Sequence, residues 1–217
     1  APYWWYRAIY AQLRVFTRLR TLSAVAPYTA EAIRRDCRYR RRLEVIPNGI
    51  PACHHAARAR TRRINSQDIK LISISNWSAR KNIPAAIKAF AYIRQEYPTA
   101  RLILAGNGLG PDQAAHAYAQ SQNLHHGIEF KGSLPREQIY ALLSDETDIC
   151  LHTSREECCC MALLESMSLG VPCVAAKGSG GTPWVLDDGR AGVLTDGEDS
   201  VAIAHGVLSL LRDDDAY

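Results

Sequence analysis

Residues 148–176 read DICLHTSREECCCMALLESMSLGVPCVAA. The apolar run Ile149–Leu151 suits a buried strand, and Ser154 to Glu157 is polar and suits a loop. From Cys160 to Leu169 the chain is apolar at helix length and stops at Gly170, after which Pro172–Ala176 reads as a second buried strand. Strand, loop, helix and strand in that order make one parallel crossover of an α/β sheet. Two glutamates stand in it, Glu157 at the loop and Glu165 on the helix, with seven residues between them. Ligands of α/β sheets sit outside the carboxyl ends of the strands, so these two acids are the first candidates for chemistry.

The alternation continues on both sides. Short apolar, β-branched runs predict strands at 70–75, 101–105, 128–131, 148–152, 172–176 and 191–194. Helical patterns fall between and after them, at 83–97, 111–122, 135–144, 160–169 and 199–212. The helix at 83–97 places Ile83, Ile87, Phe90, Ala91 and Ile93 on one broad face and turns Lys88 and Arg94 away. Helices of this length between strands imply parallel crossovers, so residues 67–213 are expected to form an α/β, Rossmann-like, doubly wound parallel sheet.

The preceding residues belong elsewhere. Residues 3–20 read as a helix, Thr21–Ala26 as a short strand, and Thr29 as the N-cap of a helix over AEAIRRDC. Leu43–Ile46 is a strand that runs into the turn signal Pro47-Asn48-Gly49. Residues 1–50 are therefore expected to be the tail of a preceding α/β domain most of which lies outside this chain, and the polar, arginine-rich residues 51–66 an inter-domain linker.

Composition narrows the function. At 217 residues and 47% apolar the chain can bury a sizeable core. Its seven cysteines (37, 53, 150, 158, 159, 160 and 173) are odd in number and contain no CxxC pair, which argues against a disulfide scaffold or zinc knuckle and for a reducing compartment. No apolar run has the length of a membrane span, and APYWWYRAIY is not a signal peptide. Residues 1–63 carry fourteen arginines against three acids, whereas the rest is acidic, leaving +4 in all. Trp4, Trp5 and Tyr6 beside Arg7, Arg14 and Arg18 suit contact with an anionic membrane surface; a plainly solvated basic face is the alternative. The arginines follow no nucleic-acid motif, so no nucleic-acid partner is expected.

Several segments at the predicted carboxyl edge of the sheet can meet a ligand. Lys81, between the first strand and first helix of the doubly wound unit, can neutralise phosphate oxygens or simply be solvated. The helix starting near Cys160 offers unpaired N–H groups to an anion such as a diphosphate. Glu165, flanked by Leu163, Leu164 and Met167, is either an ordinary helix glutamate or a partner for sugar hydroxyls, and Glu157 can stabilise positive charge developing on a sugar ring. The glycines of Ala105–Gly110 permit either a tight strand–helix turn or close approach to a ligand. Lys131-Gly132-Ser133-Leu134 is a βα loop whose backbone can meet a nucleobase edge, and Gly178–Pro183 a glycine-rich loop able to approach a phosphate or sugar. His54 and His55 fall in the linker, and His116, His125, His126, His152 and His205 show no metal-ligand spacing with carboxylates, so no metal site is expected.

In order, VIPNGI (45–50), ISNWSARKNI, LILAGNG, IEFKGSL, the Glu157–Glu165 pair followed by LGVPCVAA, and GSGGTPWVLDDGRAGVL resemble the retaining GT-B glycosyltransferases of glycosyltransferase family 4 over essentially the whole chain. The resemblance implies transfer of a sugar from a nucleotide-sugar donor to the hydroxyl of a glycan or lipid-linked acceptor, without metal or cofactor. It places the work in the cytoplasm, at the inner face of the membrane, in surface polysaccharide or glycolipid synthesis. It assigns Lys81 to the leaving diphosphate, Glu165 to the donor ribose and Glu157 to the donor sugar. Backbone around Cys159, Cys160 and Met161 would cradle the phosphates, and Gly132, Ser133 and Leu134 would contact the base. The family usually has Gly-Arg where this chain has Ser75-Asn76, which leaves Asn76 and Arg80 as the polar groups beside Lys81. It has Gly-aromatic-Gly where this chain has Cys158-Cys159-Cys160, and an acid where this chain has Trp184. Those departures keep a non-catalytic nucleotide-sugar-binding module as the alternative. A nicotinamide-dependent dehydrogenase has only the glycine loop at 106–110 in its favour. With the acceptor half absent, the chain alone is expected to bind donor but transfer poorly.

Overall fold

The computed structural model describes residues 15–51 and 68–212. Main-chain contacts divide the chain into two units, residues 1–49 and 50–217.

In the first unit two parallel strands, β1 (Thr21–Ala24) and β2 (Arg42–Val45), pair from Thr21↔Arg42 to Ala24↔Val45. Helix α1 (Pro27–Asp36) connects them. The expected cap at Thr29 is corrected. The helix starts at Pro27, whose fixed φ suits the first helical position, and extended Ala26 precedes it without a side-chain cap. Thr29 therefore lies inside the first turn, and its Oγ1 is buried without a partner. Buried Tyr39 closes the unit by donating its hydroxyl to the Arg42 carbonyl at 3.0 Å. Of the helix expected at 3–20, only the turn Val15–Arg18 falls within the described residues. The expected linker, apart from Pro51, falls outside them.

The second unit is a six-stranded, all-parallel sheet: β3 (Lys70–Ile74), β4 (Arg101–Ala105), β5 (Ile128–Gly132), β6 (Ile149–His152), β7 (Cys173–Ala176) and β8 (Val193–Thr195). Their spatial order, β5-β4-β3-β6-β7-β8, is the doubly wound order. Helix α2 is Ile83–Glu96, α3 Ala114–Ser121, α4 Arg136–Ala141, α5 Met161–Ser168, α6 Thr182–Val185 and α7 Ser200–Arg212. Strands β6 and β7 are buried at every residue, as parallel strands covered on both faces must be. Helix α2 buries Ile83, Ile87, Phe90 and Ile93 of the expected face and leaves Ala91 half-buried, and α7 joins it in one apolar cluster with Val207 and Leu211. Each such large apolar side chain contributes roughly 1.5–3 kcal/mol by leaving water. Asp199 caps α7 by accepting the Val201 N–H at 2.9 Å.

Two segments differ from the sequence reading. The helix expected at 135–144 is α-helical only over Arg136–Ala141 and continues as a π-helical turn, Leu142–Glu146, closed by the Thr147 hydroxyl donating to the Leu142 carbonyl at 2.8 Å. The glycine-rich stretch at 178–183 is not wholly loop, because α6 begins inside it at Thr182 with Pro183 in its first turn.

The strand order reverses between β3 and β6, which pair at Leu71↔Ile149 and Ile72↔Cys150. Their carboxyl ends lie side by side. That topological switch point is where a doubly wound sheet takes its ligand.

Candidate functional site

Two loops build the site, residues 75–82 after β3 and 153–160 after β6. They are laced together by backbone groups. Arg155 N–H donates to the Arg80 carbonyl at 2.7 Å, the Ser154 hydroxyl donates to the same carbonyl at 3.2 Å, and the Thr153 hydroxyl to the Asn82 carbonyl at 3.0 Å. Asn82, left-handed at φ 50°, is buried and donates its side-chain amide to the Gly197 carbonyl at 2.9 Å. The Arg155 guanidinium grips Glu198 with two bonds, at 2.6 and 2.8 Å. Lys81 thus leaves a backbone fixed on both sides.

The Lys81 ammonium donates to Glu157 Oε1. His152 Nε2 lies 3.1 Å from that same oxygen, and the Cys160 thiol 3.4 Å from Nε2. Arg80 stands further out, 4.0 Å from Glu157 Oε2, and also donates to the Glu156 carbonyl at 3.3 Å. Glu157 is only 7% exposed and His152 2%. Burial alone would raise the Glu157 pKa, but His152 and Lys81 outweigh it and hold the carboxyl at about 2. Burial pulls the other way on His152, where Cys160 and Glu157 prevail and lift the imidazolium to about 10. The result is a buried carboxylate held charged between an ammonium and an imidazolium. Its backbone is also fixed, since Gly181 N–H donates to the Glu157 carbonyl at 2.8 Å.

Glu165 has a separate set of partners. Its Oε1 accepts from the Arg136 guanidinium at 2.8 Å and from the Tyr140 hydroxyl at 3.3 Å, and Arg136 lies 5.2 Å over the Tyr140 ring. Ser133 and Leu134 immediately precede α4, the helix that supplies both partners, so the expected base loop and the second glutamate are joined through Arg136. Gly132 is buried at the end of β5, at φ 65°, and gives its carbonyl to the Gly106 N–H at 2.7 Å.

The glycine loop after β4 has a structural task. At Gly106, φ is 137° and a Cβ would fall 1.5 Å from the Ser75 carbonyl oxygen. The glycine lets the chain leaving β4 pass close against the backbone that leaves its parallel neighbour β3. Cys160 is the N-cap of α5 and Met161 its first residue; Cys159 and Cys160 are buried, whereas Cys158 is exposed. Asn76 is half-buried with its Oδ1 unpartnered, and it makes no bond to the Lys81–Glu157 pair.

Three residues that the sequence reading missed complete the arrangement. His152 was set aside for lack of a recognisable spacing, yet the structure brings its imidazole, the Glu157 carboxylate and the Cys160 sulfur within 4.8 Å of one another. The correction has a simple cause: a strand end, a tight loop and a helix start fold a nine-residue span back on itself, a pattern no helical spacing rule covers. Arg136 and Tyr140 carried no local signal, because their partner is 29 and 25 residues away.

The comparisons agree with this architecture. The sequence model for "Glycosyl transferases group 1" matches residues 57–217, and the chain belongs to that family. It is 31% identical over 156 residues to N-acetyl-alpha-D-glucosaminyl L-malate synthase of Bacillus anthracis, an alignment covering 71% of this chain and 39% of that protein. It is 28% identical over 211 residues to a GDP-mannose-dependent alpha-(1-6)-phosphatidylinositol monomannoside mannosyltransferase of Mycolicibacterium smegmatis, covering 91% and 51%. The chain thus spans only about half, or less, of the length of these relatives. Among solved structures it shares the fold of sucrose-phosphate synthase from Thermosynechococcus elongatus (TM-score 0.78, 20% identity, 97% of this chain and 53% of that one). It shares the fold equally with Anabaena Alr3699/HepE, solved with UDP and glucose (TM-score 0.74, 20% identity, 97% and 58%).

Proposed function

We propose that this chain is the donor-binding part of a retaining GT-B glycosyltransferase of family 4 that moves a sugar from a nucleotide-sugar to a hydroxyl of a glycan or lipid-linked acceptor, without a metal cofactor. The observation that carries the reading is the Lys81–Glu157 pair at the switch point between β3 and β6. In this reading Lys81 and the first N–H groups of α5, around Cys159, Cys160 and Met161, offset the charge of the departing diphosphate. Glu157 faces the donor sugar as its anomeric carbon becomes electron-poor. Glu165, oriented by Arg136 and Tyr140, takes the ribose hydroxyls, and Gly132, Ser133 and Leu134 face the base. Arg80 is the exposed cation nearest the pair, and Asn76 presents a buried, unpartnered oxygen to the same edge. Residues 1–50 act as the tail of the acceptor domain and 51–66 as the linker.

A relative named as a phosphatidylinositol monomannoside mannosyltransferase supports a role in surface polysaccharide or glycolipid synthesis, at the cytoplasmic face of a membrane. Among the described residues no helix is long and apolar enough to cross a bilayer. Exposed Arg34, Arg35 and Arg40 extend the basic character of the N-terminal part and support peripheral contact with anionic lipid. Cys158 and Cys160, which stand where the family keeps glycine, favour one second reading, a module that binds nucleotide-sugar without transferring it.

Thermal-shift measurements against UDP-, GDP- and ADP-sugars test the binding step. One class should raise the unfolding temperature in proportion to occupancy, and Lys81→Ala should abolish the rise. A folded chain that none of them stabilises removes the donor-site reading. In the longer protein, transfer that survives both Lys81→Ala and Glu157→Gln removes the catalytic roles, whereas binding without transfer selects the second reading.

A further inference from the structure

We propose that His152, Glu157 and Cys160 form a binding site for one thiophilic divalent cation of the zinc class. The three come from different pieces of local structure: His152 ends β6, Glu157 lies in the loop and Cys160 is the N-cap of α5. All three are buried, at 2%, 7% and 4% exposure, and their donor atoms lie within 4.8 Å of one another. His152 Nε2 is 3.1 Å from Glu157 Oε1 and 3.4 Å from the Cys160 sulfur. Zinc bonds of about 2.0–2.3 Å at a tetrahedral centre separate their ligand atoms by roughly 3.3–3.6 Å. Both His152 contacts are within a few tenths of an ångström of that spacing, and the Glu157 and Cys160 donors, within 4.8 Å of each other, need close by about an ångström at most.

The donor set is selective. One imidazole nitrogen, one thiolate and one carboxylate suit zinc, and disfavour magnesium or calcium, which take oxygen. Binding displaces the ring proton of the His152 imidazolium and the Cys160 thiol proton to solvent, after which a neutral imidazole with two anions balances the charge of the ion. Three protein ligands leave a fourth position for water or an anionic ligand group, as in exchangeable rather than purely structural zinc sites.

Glu157 Oε1 already accepts from Lys81, so the cation and the ammonium must share or divide that carboxylate. If Glu157 also faces the donor sugar, a loaded cation opposes nucleotide-sugar binding. This consequence rests on the donor-site reading, whereas the metal site itself does not. The site thus gives the family's metal-independent chemistry a point at which a soft cation can shut it off.

The test is titration of the reduced, chelator-stripped protein with Co²⁺, followed by absorption, and with Zn²⁺, followed by calorimetry. The expected result is one equivalent of Co²⁺ with a thiolate-to-cobalt charge-transfer band and the strong visible bands of four-coordination. Cys160→Ser should abolish the charge-transfer band, and Cys158→Ser should retain it. His152→Gln should weaken zinc by more than the roughly 10–100-fold that a change in supporting hydrogen bonds costs. A band that is absent, that survives Cys160→Ser, or that disappears with Cys158→Ser overturns the site. Should Cys160→Ser fail to unfold cooperatively, His152→Gln decides, and unchanged zinc affinity there overturns it equally. Nucleotide-sugar affinity that is the same with and without bound zinc overturns only the shared use of Glu157.

Discussion

Replacing Glu157 by Gln keeps the shape of the side chain and removes the one charge that Lys81 and His152 share. The folded-state pKa of about 2, against 4.5 for a free carboxyl, measures how much better the folded protein holds the anion. At about 1.4 kcal/mol per unit this is worth up to about 3 kcal/mol. The sign follows from linkage. A carboxyl with a depressed folded pKa stabilises the protein above pH 4.5, and that stability is lost as the pH falls through 4.5 towards 2. Urea unfolding followed by far-ultraviolet circular dichroism at a series of pH values from 7 to 2.5 reads it directly. The wild-type protein should exceed Glu157→Gln by about 2–3 kcal/mol at neutral pH, with the gap shrinking to below about 1 kcal/mol at the acid end. His152 supplies a second readout of opposite sense. Its raised pKa of about 10 gives stability that is complete below pH 6.5 and lost as the pH rises towards 10, and losing the Glu157 charge should narrow that window. A stability gap that does not change with pH, or a variant as stable as the wild type at pH 7, would refute the arrangement of charges described for this site.

Other expectations follow from individual contacts. Lys81→Ala should lower affinity for a nucleoside diphosphate by about 10–100-fold in calorimetry, since a charge-assisted contact of about 1.5–3 kcal/mol is lost; unchanged affinity would remove Lys81 from the diphosphate. Glu165→Gln should weaken a nucleotide-sugar but leave inorganic pyrophosphate unaffected, because only the ribose contact changes; equal losses for both would place Glu165 elsewhere. Arg136→Ala should leave the unfolding midpoint in urea nearly unchanged, its bridge to Glu165 being exposed on the Arg136 side, yet reduce nucleotide-sugar affinity. Gly106→Ala should fail to fold, as its Cβ would sit 1.5 Å from the Ser75 carbonyl oxygen; a cooperative transition near the wild-type temperature would contradict that close backbone approach.

Much of the architecture was written in local pattern. The runs at 70–75, 101–105 and 172–176 could be read as strands because both faces of a parallel strand are apolar, and five of the six lie within one residue of their expected ends. The last was expected to start at 191 and starts at Val193, after a turn that includes left-handed Asp188. The short helix α6 was hidden by the glycines before it, whose flexibility reads as loop when Pro183 is not weighed as a helix starter. Thr29 failed for the converse reason: a good capping side chain was preferred over the proline two residues earlier that fixes where the helix begins. At the site, Lys81, Glu157 and Glu165 were legible by position along the chain, because a doubly wound sheet puts its ligand at strand ends. Their partners were not. His152 reads as one more residue of a buried strand, and Arg136 as one more charge on an exposed helix.

The sequence by itself determined the order of strands and helices, the family, and which loops reach the carboxyl edge of the sheet. These follow from hydrophobic periodicity and turn chemistry, which act over a few residues. Only the tertiary structure decided that Lys81 and His152 share one carboxylate oxygen of Glu157, that Cys160 turns its thiol to the same imidazole, and that Glu165 is held by Arg136 and Tyr140. The physical reason is that Lys81 is 76 residues from Glu157, and Arg136 and Tyr140 are 29 and 25 from Glu165, so they meet only in the assembled sheet; His152 and Cys160, though near Glu157 in the chain, reach it only because the loop after β6 folds back, and burial and charge together then decide which groups remain ionised.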